Sequence, residues 1–239
     1  MHKKKKSVTC YLKWVDPFTY VDLLLFKLFD EPDTTQKKIL FWIIYIAFAF
    51  IFAYLLYRIS GLILNNTTPF ATVVSASMEP RFYRGDVVIL TVPKNLKATT
   101  ATIDINLAEK DLKEFAELSY KINEYGLEQI DSIKIGDTNI AINDIYSNDI
   151  IVYHSNIRGI DIIHRIVAYI HANDGNFIIT KGDNNKTNRI IDEDCNIDRE
   201  TGIPQNACLN IYPIPVDKIK GKMIGKVPYI GYAKLFLFG

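Results

Sequence analysis

The sequence predicts a mainly β domain with one N-terminal transmembrane helix and a partly helical insertion. Three observations predict it. A single uncharged apolar run, "ILFWIIYIAFAFIFAYLLY", occupies 39–57. Beyond residue 65, most of the chain reads as short β-branched runs bounded by Gly, Pro and polar turns. Between two groups of such runs, 97–147 changes style and opens with helical periodicity.

At about 1.5 Å per residue the apolar run spans roughly 28 Å, close to the ~30 Å hydrocarbon core of a bilayer. Trp42 and the tyrosines suit its ends. A soluble core helix of this length would show a polar face, and a cleaved leader would have a shorter apolar core. The run is therefore read as a permanent anchor over 39–64. Residues 1–38 hold eight lysines, including "KKKK" at 3–6, and neither Lys nor Arg lies between Arg58 and Arg81. This asymmetry predicts a cytoplasmic segment 1–38 and an extracytoplasmic domain 65–239, on a cell membrane or an endoplasmic-reticulum membrane. "YVDLLLFKLFDEP", 20–32, reads as a short interfacial helix on the cytoplasmic side. The terminal "LFLF" is too short to cross a membrane, so a single pass is expected. A net charge of +1 gives no reason to expect a nucleic-acid partner.

In the outer domain, "FATVVSASM" and "DVVILTV" read as strands, with Gly85-Asp86 turning between them. Asn106 to Gly126 reads as a helix. Its apolar residues fall at 108, 112, 115, 118, 122 and 125. Asn106 would cap it, with Glu109 at the capping-box position and Gly126 as its stop. Glu109–Lys113 and Glu117–Lys121 would be favourable pairs along it. "SIKIGDTNIAI" reads as a hairpin. Strands resume with "DIIVYHS", "DIIHRIVAYI" and "NFIITKGDNN", and the end, "IKGKMIGKVPYIGYAKLFLFG", is again strand-like.

Two serines lie two apart in "SASM". A serine nucleophile needs a base, a group that orients the base, and donors for an oxyanion. Ser77 is the candidate nucleophile. In an extended segment Ser75 points to the same side, so its hydroxyl can join the Ser77 backbone N–H as an oxyanion donor. The outer domain holds His154, His164 and His171. An isolated histidine in an apolar strand, as His164 is, would ordinarily be a core residue. Cys10 falls inside and Cys195 and Cys208 outside, where an oxidising compartment permits a disulfide that sequence alone leaves open. Asp192, Asp194, Asn196, Asp198 and Glu200 alternate oxygen ligands, as a calcium loop would. The turn glycine such a loop needs is missing, and a solvated acidic loop is the better reading.

The pattern "SASMEP…RGDVVIL", "DIIVYH…DIIHRIV", "TKGDNN" and "VPYIGY" resembles the type I signal peptidases, in their archaeal and endoplasmic-reticulum branch. The likeness covers roughly 70–96 and 147–232. It implies a signal-peptidase-like β catalytic domain on the outer membrane face that cleaves signal peptides from exported precursors and uses no metal or other cofactor. It implies Ser77 as nucleophile, Ser75 at the oxyanion position, His164 as the base where the bacterial branch has lysine, and Asp183 at an acidic position of the motif. This branch usually places a second acid a few residues after Gly-Asp-Asn-Asn, where this chain has Lys186, Thr187, Asn188 and Arg189. Asp192 is the first carboxylate beyond and the expected triad acid, with Asp183 in support. Asp194 is its rival, sharing its side if the segment is extended. Glu193 would then face solvent. The implied partners are precursor proteins, the lipid bilayer and other membrane subunits. Two competing readings are a catalytically silent binding relative and a self-cleaving regulatory serine protease. The His-Arg strand and the anchor argue against the second.

Overall fold

The computed structural model describes residues 16–29, 34–198, 201 and 203–238; "KKKK", Cys10 and Glu200 lie outside them. By packing, the chain divides into two units, 1–60 and 61–239.

In the first unit, helix α1 (Pro17–Phe29) packs on the first turns of α2 (Thr35–Ile63), with Val21 and Leu25 against Phe41. Val21 and Leu25 are four apart and so share one face of α1. Among the described residues α2 is the one helix long and apolar enough to cross a membrane. Over 39–57 its side chains are apolar on all sides, and Trp42, Ile46, Phe50 and Leu55 are exposed.

The second unit is built on an eight-stranded sheet. Its strands are β1 (Phe70–Thr72), β2 (Val87–Thr91), β3 (Thr100–Thr102), β7 (Ile150–His154), β8 (Asp161–Ala172), β9 (Gly175–Lys181), β10 (Ile214–Pro215) and β11 (Gly221–Val227). The order is β1-β2-β11-β7-β8-β9-β10, and β3 pairs in parallel with the far half of β8. β8 is buried on both faces over most of its length, as expected of a central strand. Along β7, Ile150 and Val152 enter one core cluster while Ile151 and Tyr153 enter another, the strict alternation a strand imposes.

Between β3 and β7 the chain forms a second, three-stranded sheet of β4 (Ala116–Ile122), β5 (Glu128–Ile135) and β6 (Thr138–Ala141). Ile130, Ile133, Ile135 and Ile140 share one buried cluster with Val167, Ala168, Ile170 and Ile179 of the main sheet. The hairpin expected at "SIKIGDTNIAI" is present, turning at Gly136 with φ 55°.

The helix expected over Asn106–Gly126 is not. Only α3 (Leu112–Phe115) is helical, preceded by a loop in which Glu109 has φ 63°. Ala116, Leu118 and Tyr120 alternate inward from β4 and pack on the isoleucine cluster. Ile122 and Tyr125, which a helix would have buried with them, are exposed. The charges follow the strands: Glu117 pairs with Lys134 and Lys121 with Asp131, each across to β5. Partners on a neighbouring strand outweighed local propensity. Two smaller corrections concern the ends of strand readings. β1 stops at Thr72, leaving 73–78 outside the strand, with a bend at Ser75 and a turn from Ser77. The chain's end beyond Gly231 is a helix, α4 (Tyr232–Phe238), not a strand.

Cys195 and Cys208 are bonded, thirteen residues apart. Just beyond the bridge, the N–H groups of Leu209 and Asn210 donate to the Asp192 carbonyl at 2.7 and 3.1 Å. Removing the bridge with Cys195→Ser and Cys208→Ser should lower the unfolding free energy by about 3 kcal/mol, the loop-closure entropy of a ring this size. Urea denaturation of the two proteins checks it. Coincident midpoints would refute it.

Candidate active site

Facing in the sheet follows from register. Ile151 lies opposite His164, and Ile166 lies opposite Thr180. Residues directly opposite in an antiparallel pair share a face, as do residues two apart on a strand. Tyr153, His164 and Thr180 therefore project from one face of three adjacent strands. Asp192 lies over that face. Its Oδ2 is 2.5 Å from His164 Nδ1 and accepts the Tyr153 hydroxyl at 2.8 Å and the Thr180 hydroxyl at 2.7 Å. The main chain holds it as well: the Asp192 N–H donates to the Thr180 carbonyl at 2.8 Å. His164 and Asp192 are each about 2% exposed at the side chain. Burial first, then the Asp192 charge, push the Tyr153 hydroxyl well above the ordinary tyrosine range, so it stays a donor.

Arg165 is one residue on and faces the opposite side. There it holds Asp183 in a two-pronged ion pair, Nε to Oδ1 at 2.8 Å and Nη2 to Oδ2 at 2.7 Å. Nη1 donates to the carbonyls of Tyr146 and Asn148. Asp183 is thus occupied by Arg165 and Asp192 by His164. Asp194 is turned away: its N–H bonds the Ile191 carbonyl, so 191–194 is a turn and not extended. Its carboxylate meets the Tyr120 hydroxyl and the Lys113 ammonium of the insertion.

Glu193 is 1% exposed, which corrects the expectation that it faces solvent. Its Oε2 accepts the Thr180 N–H at 3.0 Å. With Asp192 and Asp194 also buried, the segment is not a solvated acidic loop. Nor are its carboxylates grouped as a metal site among the described residues. Asp192 meets His164, Tyr153 and Thr180, Glu193 meets Thr180, and Asp194 meets Tyr120 and Lys113.

Ser75 and Ser77 sit in the turns after β1, and their hydroxyl oxygens are 3.1 Å apart. The serine segment is held by the distant "KGDNN" stretch. Asn184 donates its N–H to the Ser77 carbonyl at 2.9 Å and its side-chain amide to the Ala76 carbonyl at 2.8 Å. Gly182 permits this approach, since a Cβ there would lie 2.7 Å from the Ser77 carbonyl oxygen. Met78 and Phe82 anchor the segment in the core. Behind them Asp86 accepts from the Tyr83 N–H at 3.1 Å, Lys226 Nζ at 3.2 Å and the Tyr229 N–H at 3.4 Å. Burial opposes the Asp86 charge, but these donors outweigh it and hold the carboxyl below its usual range.

Ser75, Ser77 and His164 line one cavity of about 360 Å³, whose other walls include Val73, Met78, Ile160, Ile162 and Ile163. The other two histidines lie apart and exposed: His154 pairs with Asp161, and His171 with Asn176. A hydroxyl, an imidazole on a buried carboxylate and an apolar cavity together provide for acyl transfer to a serine. Tyr153, Thr180 and the part played by Asn184 escaped the sequence reading. The signal of Tyr153 and Thr180 lay in strand register, which needs the sheet order.

Lys181 is also buried, donating to the Gly182 carbonyl at 2.9 Å and Asn185 Oδ1 at 3.0 Å. Burial lowers it to about 8, with Asp192 and Asp183 pulling the other way. The folded protein therefore holds this proton less tightly than the unfolded chain, whose lysines titrate near ~10.4. Relative to Lys181→Met, the wild type should gain stability as pH rises from about 8 to ~10.4 and lose that gain as pH falls through 8. Urea midpoints of both proteins across that range check it. Parallel curves would contradict it.

No protein-family model matches the chain. Among curated proteins it is 24% identical over 192 residues to the signal peptidase complex catalytic subunit SEC11 of Candida tropicalis, covering 80% of this chain and 79% of that one. It is 29% identical over 185 residues to the subunit of that name from Schizosaccharomyces pombe, covering 77% and 75%. With that of Schizophyllum commune the figures are 26% over 180 residues, 73% and 67%. These findings bear out the resemblance to the type I signal peptidases of the endoplasmic-reticulum branch.

Proposed function

We propose that this chain, a relative of signal peptidase catalytic subunits, is a membrane-anchored serine endopeptidase that removes signal peptides from exported precursors. The observation that carries the reading is that His164, paired with the buried Asp192, lines the same cavity as Ser77, in a chain with these relatives.

Ser77 Oγ attacks the scissile carbonyl while the free nitrogen of His164, Nε2, takes its proton. Asp192 holds Nδ1–H, which fixes the tautomer and stabilises the imidazolium that forms. The Ser77 N–H and the Ser75 hydroxyl donate to the oxyanion. His164 then protonates the leaving amine, and the peptide bond is exchanged for a Ser77 ester. A water deprotonated by His164 hydrolyses that ester and restores the serine. The apolar walls favour small apolar side chains before the cleaved bond, and the substrate docks extended, as an added strand. The connection from Ile63 to Ser77 is short, which suits a bond cut at the membrane surface. In this reading α2 is the single span, the N-terminus is cytoplasmic and 65–239, with its insertion 97–147, is outside. The relatives are named as subunits of a complex, which supports further membrane subunits as partners here.

The test is the full chain in lipid vesicles with a precursor, the new N-terminus being sequenced. Ser77→Ala should abolish cleavage without shifting the unfolding midpoint. If that variant cuts at the wild-type rate, Ser77 is not the nucleophile and the serine assignment fails; a wild type that binds the precursor without cutting it would favour the silent binding relative.

The carboxylates should separate by kind of loss. Asp192→Asn should keep the fold and lower kcat roughly 10³–10⁴-fold, by presenting His164 with the wrong hydrogen-bond partner. Asp183→Ala should instead cost about 3–5 kcal/mol of stability, because it strands the buried Arg165 charge. Asp194→Ala should spare kcat, its partners lying in the insertion. Rate assays beside denaturation curves check all three. A larger kcat loss for Asp194→Ala than for Asp192→Asn would move the triad acid.

A further inference from the structure

Asp192 is not the only carboxyl on Thr180. Thr180 Oγ1 lies 2.7 Å from Asp192 Oδ2 and 3.4 Å from Glu193 Oε1, while its N–H donates to Glu193 Oε2 at 3.0 Å. We propose that Glu193 is a positioning residue of this site, acting on Asp192 through Thr180; this rests on the reading of Ser77, His164 and Asp192 given above.

A threonine hydroxyl has one hydrogen. The shorter distance assigns it to Asp192. Thr180 Oγ1 is then free to accept, and Glu193 Oε1 meets it as an O–H donor. The result is a reciprocal pair. Thr180 N–H donates to Oε2, and Oε1–H donates to Oγ1. The hydroxyl hydrogen is thereby committed to Asp192 Oδ2, on the same oxygen that His164 Nδ1 faces.

Such a pair requires the acid form of Glu193, and burial beside a second carboxylate favours that form. Burial first, and the neighbouring Asp192 charge next, push the Glu193 carboxyl well above the usual carboxylate range. The groups packed around it are Asp192 on its own loop, Tyr153 from β7, Thr180 from β9 and the uncharged Asn210. No cation among them offsets a second negative charge. Were both carboxylates ionised, they would compete for one hydroxyl hydrogen and repel each other beneath the sheet.

The test uses the full chain in detergent with a precursor substrate. Glu193→Leu and Thr180→Val should each lower kcat about tenfold or more with KM within about twofold, as expected of groups that act through a triad member. Glu193→Gln carries a donor and an acceptor in the same places and should hold kcat within about threefold, as a conservative rescue. The double variant Thr180→Val/Glu193→Leu should lose no more than the worse single, since both cut one link. A second readout is independent of turnover: in the Ser77→Ala background, the low-field proton resonance of His164 Nδ1–H should shift with Glu193→Leu and stay with Glu193→Gln. If Glu193→Leu does not fold, Thr180→Val and Glu193→Gln carry the comparison. The inference is overturned if Gln costs as much as Leu or Thr180→Val, if the two losses multiply, or if the resonance is indifferent to both. A Ser77→Ala enzyme that still cleaves would sink the Ser77 nucleophile assignment instead, and the resonance would still report on Glu193.

Discussion

A carboxylate carried beneath a β-sheet must be met by donors or give up its charge. Asp192 is met by three, and each comes from a different strand: Tyr153 from β7, His164 from β8 and Thr180 from β9. The sheet order is what puts these residues side by side, and their register puts them on one face. The loop bearing Asp192 is pinned in turn by Leu209 and Asn210, next to the Cys195–Cys208 bridge. Loss of strand order, register or loop would leave a buried charge unpaired, so the site and the fold of this half of the domain stand on the same contacts.

The serine side depends on contacts made far along the chain. Asn184 fixes the carbonyls of Ala76 and Ser77, and Gly182 lets the two segments touch. Gly85 adopts φ 90°, and a Cβ there would strike the Tyr232 ring at 2.3 Å, so the turn that follows the serines closes against the chain's end. "SASM", "RGD", "KGDNN" and "VPYIGY" are consequently one assembly. That is why the four read together as a family pattern.

How much of this was legible in the sequence depended on whether the deciding force was local. The apolar run, the β-branched strands and the "KIGDTN" hairpin carry their own signal, and α2, β7–β9 and β5–β6 lie where they were expected. Asp192 stood out as the acid for His164 through the family pattern, and the two are in contact; their catalytic roles remain part of the proposal. Residues 106–126 were misread because their helical periodicity competes with a strand partner the sequence does not name. Ala116, Leu118 and Tyr120 alternate equally well, and β5 decided. Glu193 was misread by parity. In an extended segment it would point away from Asp192, but the turn from Ile191 to Asp194 buries all three acids in different directions.

Parity also separates the two charge systems around the central strand. His164 and Arg165 are adjacent in sequence and face opposite sides of β8, each against its own aspartate. The imidazole must become positive while an acyl transfer proceeds, and a free guanidinium nearby would oppose that. Arg165 does not, because Asp183 matches its charge in a bidentate pair on the other face. Asp192 therefore meets His164 without a rival cation among its direct partners, and Glu193 in the acid form proposed above would leave it without a second anion to repel it. A single negative charge facing a single ring nitrogen is the arrangement in which an incoming proton on His164 gains most. It requires both the ion pair on one face of the sheet and the uncharged acid on the other.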